Sequence, residues 1–182
     1  VGKSSIFNLL TGMHQHTGNW SGKTVSTSEG ICKKDKSIKL VDLPGTYSLM
    51  HLSEEELVAR DVIAFDNYYK NIVVCDSCLL ERNLNLVLQI LEANNNVLLC
   101  LNQADLANKK NIDIDVKKLE SMLGVKVVLC SAKKEMGIDE LVKMINYENS
   151  SDYSLNYGEL EEKIKKLENL INDFNLKLNS RF

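Results

Sequence analysis

Apolar residues in this chain fall into short unbroken runs separated by stretches with helical spacing, and that alternation predicts an α/β fold. Ile72-Val73-Val74, Val97-Leu98-Leu99 and Val125-Lys126-Val127-Val128-Leu129 are almost continuously apolar. Strands of this kind are buried on both faces, which is the situation of a parallel sheet covered by helices above and below. The runs predict strands over 71–75, 96–101 and 125–130, with helices over 80–92, 116–123 and 138–145. Right-handed crossovers then align the strands, and loops able to carry chemistry gather at their carboxyl ends.

The first third of the chain reads differently. Ile6-Phe7-Asn8-Leu9-Leu10 predicts a short helix closed by Gly12, and the polar stretch 13–24, with glycines at 18 and 22, reads as a loop. Residues 25–33 and 37–41 predict two strands of a hairpin around Lys34-Asp35-Lys36. A helix over 53–65 opens with Ser53-Glu54-Glu55-Glu56, the S-x-x-E capping pattern. Residues 147–158 are polar and suggest a boundary, dividing the chain into a domain at 1–147 and a second unit at 148–182. In that unit Leu160, Ile164, Leu167, Ile171, Phe174 and Leu178 form one apolar stripe on a helix of about five turns. The stripe needs a partner, and a helical bundle continuing past it is the expected one.

Composition narrows the classes. At 182 residues, with 44% apolar and 26% charged positions, the chain suits one sizeable soluble domain plus an appendage. A net charge of −3 argues against a nucleic-acid partner or an anionic membrane surface. No apolar run approaches the ~18 residues that a spanning helix requires, and no signal peptide is expected. The five cysteines are an odd set; Cys75-Asp76-Ser77-Cys78 has the C-x-x-C form, without a second pair at zinc spacing. Cys75, Cys100 and Cys130 each end an apolar run and read as small buried hydrophobes, which fits a reducing compartment. His14, His16 and His51 lack carboxylates at ligand spacing and are not expected to hold metal.

Chemistry enters at four stations. Val1-Gly2-Lys3-Ser4-Ser5 matches the second half of G-x-x-x-x-G-K-[ST]. In that pattern backbone N–H groups wrap a polyphosphate, Lys3 reaches its terminal phosphates, the Ser4 hydroxyl binds Mg²⁺, and the following helix turns its positive end to the anion. Thr24 lies in a glycine-flanked loop, where a hydroxyl could complete the Mg²⁺ shell. Asp42-Leu43-Pro44-Gly45 is a D-x-x-G pattern: the carboxylate would hold Mg²⁺ through water, and the Gly45 N–H would meet a γ-phosphate. Asn102-Gln103-Ala104-Asp105 follows one buried run and Ser131-Ala132-Lys133 the next. A carboxylate at Asp105 accepts from guanine N1–H and the 2-amino group, neither of which adenine offers. Asn102 would brace that loop, and the Ala132 N–H would meet guanine O6. Taken singly, N-x-x-D is more often a turn or cap, D-x-x-G a turn, and S-A-K unremarkable. Their joint order, each after an apolar strand, points to a GTP-binding domain with Mg²⁺.

The loop residues go further. Gln15-His16-Thr17-Gly18-Asn19-Trp20-Ser21-Gly22-Lys23-Thr24-Val25, then Asp42 through Leu49, Ser53 through Asp61, and Leu80-Glu81-Arg82-Asn83-Leu84 closely resemble the N-terminal domain of FeoB-type bacterial ferrous iron transporters. The likeness covers the chain to about residue 147. It implies a Ras-like P-loop GTPase fold, a mostly parallel sheet with helices on both faces, and a slow Mg²⁺-dependent GTPase. It further implies a cytoplasmic domain tethered in the same polypeptide to a membrane permease that carries Fe²⁺, with the last helix opening a helical regulatory domain. Switch I would be residues 15–25 and switch II roughly 42–61. K⁺, held in several members by backbone carbonyls corresponding to Gly18 and Trp20, would supply a fixed positive charge beside the β–γ bridge. A homo-oligomer is compatible with this reading. Thr46 stands where Ras-like enzymes carry a water-orienting glutamine, and Gln103 where many GTPases stack a lysine on guanine.

Two other readings stay open on sequence alone. A soluble GTPase of ribosome or tRNA maturation shares the same stations, although the acidic stretch 159–168 offers no basic RNA-binding surface. Alternatively this chain by itself is inactive. The phosphate loop's first glycine and preceding strand fall outside it, and that strand is expected between the ones ending at Asp42 and near Cys75. The chain alone is then expected to bind GTP poorly and aggregate, and a polypeptide longer by about a dozen residues to bind well.

Overall fold

The computed structural model describes residues 2–12, 15–19, 25–50, 53–66, 68–148, 151 and 153–173. In chain order these form α1 (Lys3–Thr11), β1 (Gln15–Asn19), β2 (Ser26–Ile31), β3 (Lys39–Asp42), α2 (Glu54–Phe65), β4 (Asn71–Asp76), α3 (Leu80–Ala93), β5 (Val97–Asn102), α4 (Ala104–Lys109), α5 (Val116–Leu123), β6 (Lys126–Leu129), α6 (Ile138–Ile145) and α7 (Glu161–Asp173). Short 3₁₀ turns sit at Ser77–Leu79, Ala132–Lys134 and Gly158–Leu160.

The strands make two sheets. β4, β5 and β6 are parallel, in register Val73↔Leu99 and Leu99↔Val127. β1, β2 and β3 are antiparallel, with Thr17↔Ser28 and Gly30↔Leu40. Thus the described pairings are parallel in one sheet only. β3 and β4 are not paired with one another. A cavity of about 500 Å³ is lined by residues 39–42 and 71–74 of these two strands, together with Phe7 and Leu10 of α1 and Val62 of α2.

β5 shows why the apolar runs read correctly. All six of its residues are buried, and alternate side chains face opposite layers. Leu99 and Leu101 join the cluster formed with Val87, Ile90 and Leu91 of α3 and Leu123 of α5. Leu98 and Cys100 join Ile6 and Leu10 of α1 and Leu141 and Ile145 of α6. One central strand therefore carries two cores. Four of the cysteines belong to them: all five are free, Cys32, Cys75, Cys100 and Cys130 are buried in these clusters, and Cys78 is half-buried outside them. Burial, reinforced by the neighbouring Asp76 charge, pushes the Cys75 thiol up to about 12. Cys100 is raised as well, by its hydrogen bond with Cys130 and by burial. Such thiols are inert packing groups.

Three departures from the sequence reading have clear causes. Residues 15–19 are a strand and not a loop; Gln-His-Thr-Gly-Asn is polar and pairs on one side, so no apolar alternation marks it. Helix α4 has six residues, too few for a periodic signal, and starts from Gln103 in the left-handed region at φ 63°. The polar stretch after α6 is stapled to the domain. Ser151 is buried, its N–H donates to Asn95 O at 3.0 Å and its hydroxyl to Leu123 O at 2.6 Å. Tyr153 packs on the α3-side core and the Tyr157 hydroxyl donates to the Glu92 carboxylate at 2.8 Å. Leu160, Leu167 and Leu170 in the last segment are more than half exposed. Phe174 and Leu178, the far end of the expected stripe, lie outside the described residues.

The capping pattern at Ser53 is realised: its hydroxyl accepts the Glu56 N–H at 3.1 Å, and Glu54, Glu55 and Glu56 place negative charge on the first turn of α2. Ser53→Ala is expected to lower stability by about 1 kcal/mol, read as a reduced urea midpoint at unchanged m-value.

Candidate functional site

The phosphate-loop residues follow from local backbone demands. Gly2 caps α1 in the left-handed region at φ 83°. A Cβ there would also stand 2.4 Å from the Asn102 side-chain nitrogen. Only glycine meets both conditions, and the same fact places the start of α1 against the N-x-x-D loop. Lys3 follows, and its ammonium is ion-paired with the Asp42 carboxylate at the end of β3. Ser4 and Ser5 are exposed on the first turn of α1. Gly2, Lys3, Ser4, Asp42 and Gly45 line one cavity. Among the described residues other than its chain neighbours, no atom approaches within 4 Å of where a Gly45 Cβ would stand.

The other stations form one connected unit at the ends of β5 and β6. Asn102 is buried; its side-chain oxygen accepts the Ala132 N–H at 2.9 Å, and its carbonyl accepts the Ser77 hydroxyl at 2.6 Å. The Ala104 N–H donates to Cys130 O at 2.9 Å, and the Cys130 N–H to Leu101 O at 2.8 Å. The Ser131 hydroxyl donates to the Asp105 carboxylate at 2.6 Å and accepts the Lys134 N–H at 3.3 Å. That serine bond, with the charges of Lys134 and Lys109, holds the Asp105 carboxyl below its ordinary value. Lys133 is exposed beside it. The Ala132 N–H, expected to meet guanine O6, here serves Asn102.

Most sequence-assigned residues are therefore brought together. Lys3 meets Asp42, Gly2 abuts Asn102, Asn102 bonds Ala132, and Ser131 bonds Asp105. Gly18 stands apart on β1, where it is exposed. Thr24, Trp20, His14 and His51 lie outside the described residues, as does the side chain of His16. Among the described residues no cluster of three or more His, Cys, Asp or Glu could hold a metal ion. The oxygen donors that share the cavity, the Ser4 hydroxyl and the Asp42 carboxylate, have the hard character that Mg²⁺ takes.

Sequence reasoning missed Ser77, Gln89 and the Arg82 contact. The Gln89 side-chain oxygen accepts the Leu49 N–H at 2.8 Å and the Ser48 hydroxyl at 3.4 Å. The Arg82 guanidinium lies 5.2 Å from the centre of the Tyr47 ring. No local pattern announces such contacts, because the partners are 25 to 41 positions away in sequence.

A glycine-led helix start facing a D-x-x-G loop, with N-x-x-D and S-A-K loops joined beside it on an α/β scaffold, defines the P-loop GTPase class. The family model described as "Ferrous iron transport protein B", its N-terminal part, matches residues 1–145. The chain belongs to that family. Curated relatives named Fe(2+) transporter FeoB include one from Staphylococcus aureus, 37% identical over 171 residues. One from Helicobacter pylori is 38% identical over 186 residues. The alignments cover 92% of this chain in both cases, but only 26% and 29% of those relatives, so the chain spans about a quarter of their length. Among solved structures, the cytosolic domain of T. maritima FeoB in its GMPPNP form superposes with a TM-score of 0.93 at 40% identity, over all of this chain and 74% of that one. An S. thermophilus NFeoB mutant bound to mGDP gives a TM-score of 0.93 at 36% identity, covering 99% of this chain and 71% of that one. No described helix is long and apolar enough to cross a membrane.

Proposed function

We propose that this chain is the GTP-binding and GTP-hydrolysing domain of a bacterial ferrous iron transporter, facing the cytoplasm from a membrane permease in the same polypeptide. The observation that carries it is the meeting of four segments: Lys3 pairs with Asp42 while Gly2 rests on Asn102, and the loop that carries Asn102 and Asp105 is bonded through both residues to the Ser131-Ala132 turn. Relatives whose names state Fe(2+) transport and a neighbour solved with GMPPNP support it.

In this reading the Gly2, Lys3, Ser4 and Ser5 backbone N–H groups and the Lys3 ammonium bind the polyphosphate. Ser4 and Thr24 hydroxyls and, through water, Asp42 would hold Mg²⁺, which when bound neutralises charge on the β- and γ-phosphates. Carbonyls of Gly18 and Trp20 would hold K⁺. Asp105 reads the guanine N1–H and amino group, Asn102 fixes the Ser131-Ala132-Lys133 turn beside the base, and the Gly45 N–H meets the γ-phosphate. Water attacks the γ-phosphorus, the bond to the β–γ bridging oxygen breaks, and GDP and phosphate leave. With Thr46 in place of a water-orienting glutamine, turnover is slow. Residues 148–182 would be a linker and the first helix of a helical regulatory domain, in keeping with the exposed Leu167 and Leu170 of α7. Homo-oligomerisation fits the same arrangement.

The test is displacement of a fluorescent GDP analogue from the full-length polypeptide in Mg²⁺ buffer. GTP is expected to compete at least ~100-fold better than ATP, the discrimination expected of a site built on base hydrogen bonds. Equal competition by ATP would reject the proposal.

A further inference from the structure

The segment that follows Asp42-Leu43-Pro44-Gly45 is held on α3 by two side chains the proposed chemistry does not use. Arg82 and Gln89 are seven residues apart, about two helical turns, and so share one face of α3. Gln89 is half-buried and accepts from the Leu49 N–H and the Ser48 hydroxyl. Arg82 covers the exposed Tyr47 ring. Leu49 itself is buried in the α3-side core. Between these anchors and Gly45 lies only Thr46, whose hydroxyl is bonded to the Ser48 carbonyl and accepts the Ser48 N–H at 3.1 Å. Residues 46–49 are thus a short knotted turn with one end fixed to a helix and the other carrying the glycine that reads the γ-phosphate.

We propose that Gln89 is a positioning residue for the γ-phosphate: acting through Leu49 and Ser48, and assisted by Arg82 on Tyr47, it sets where the Gly45 N–H points. This rests on the GTPase reading above. A positioning role of this kind has a selective consequence. GDP makes no γ-phosphate contact, so its affinity is independent of the latch. GTP affinity and turnover depend on it, because an unanchored turn must be ordered when GTP binds.

The experiment compares full-length wild-type protein with Gln89→Leu, Gln89→Glu and Arg82→Gln, measuring GDP affinity, GTP affinity and single-turnover hydrolysis. Gln89→Leu removes the acceptor at similar volume and is expected to leave GDP affinity within about twofold. GTP affinity and hydrolysis together should fall roughly three- to tenfold, the worth of one hydrogen bond. Gln89→Glu keeps an acceptor for the Leu49 N–H and should restore the GTP terms. Arg82→Gln is a surface change that cannot unfold the core, and should shift the GTP-to-GDP affinity ratio in the same direction by a smaller factor. A merely structural glutamine would lower GDP and GTP affinity alike, and that result overturns the latch. So does a wild-type GTP-to-GDP ratio in both Gln89→Leu and Arg82→Gln. If wild-type protein binds no GTP, the reading beneath the latch fails and the latch with it.

Discussion

Lys3→Met is expected to cost at least ~100-fold in affinity for GTP and GDP alike, while changing the stability of the ligand-free fold by less than about 1 kcal/mol. The two halves of this expectation come from the same contact. Without ligand, the Lys3 ammonium has the Asp42 carboxylate as its counter-ion, and the two side chains are 34% and 18% exposed. A pair so open to water is screened, and breaking it costs little. A polyphosphate offers Lys3 several charge-assisted hydrogen bonds at once, each worth about 1.5–3 kcal/mol, so losing the ammonium is severe for binding alone. Fluorescent-nucleotide titration beside urea unfolding separates the effects. A loss of affinity smaller than about threefold, or an equal loss in stability, would mean that Lys3 is a structural partner of Asp42 and not a phosphate ligand. Asp42→Asn is the complementary variant. It releases Lys3 from its counter-ion, so GDP binding in Mg²⁺-free buffer should hold or strengthen while the dependence on Mg²⁺ weakens.

What could be read from the sequence, and what could not, divides along physical lines. Val97 through Asn102 is apolar at almost every position because both faces of β5 are covered, and burial on two sides leaves a plain mark in one dimension. Ser53 and Glu56 are three apart because a capped helix start is a local event, and local events are legible. The Asn102–Asp105 and Ser131–Lys133 stations are legible because each follows such a buried run. β1 escaped notice since a polar strand paired along one edge carries no periodicity. The Ser151 staple and the Gln89 latch escaped for a different reason: each rests on two hydrogen bonds made by one polar residue to segments distant in sequence. A buried serine and a half-buried glutamine look, in sequence, like any other polar residue.

The close fit of Gly2 against Asn102 has a bearing on how the site can work. A phosphate loop and a base loop are usually thought of as separate grips on one ligand. Here the glycine that shapes the first grip has no room for a side chain because the second is already there. Asn102 in turn is fixed from behind by Ser77 and in front by Ala132. In the proposed GTPase reading the spacing of the two grips would therefore be set by packing before the ligand arrives.

Asp105→Asn is expected to exchange guanine for xanthine as the preferred base. In the proposed reading the carboxylate would accept from two adjacent guanine donors, whereas an asparagine amide must present one donor. Xanthine carries a carbonyl where guanine has its amino group, and so matches the variant. GDP affinity should fall on the order of 100-fold or more, and xanthosine diphosphate should bind more tightly than GDP, because a mismatched base leaves polar groups unpaired inside the site. The wild-type selectivity should also be flat with pH. The Ser131 hydrogen bond, aided by Lys134, lowers the Asp105 pKa, so the charged form persists as pH falls through the ordinary carboxylate range. The sign follows: for a depressed carboxylate, the benefit of folding is present above the unfolded pKa and is lost only as pH drops through the lower folded value. Between about pH 8 and about pH 5 the ratio of GDP to ADP affinity is thus expected to stay constant, and Ser131→Ala should bring its acid limb to higher pH. Competition titrations with GDP, ADP and xanthosine diphosphate, extended for wild type and Ser131→Ala below about pH 5 through the ordinary carboxylate range, provide the measurement. An Asp105→Asn protein that keeps its guanine preference would remove Asp105 from the base site and leave it a helix-start carboxylate bonded to Ser131.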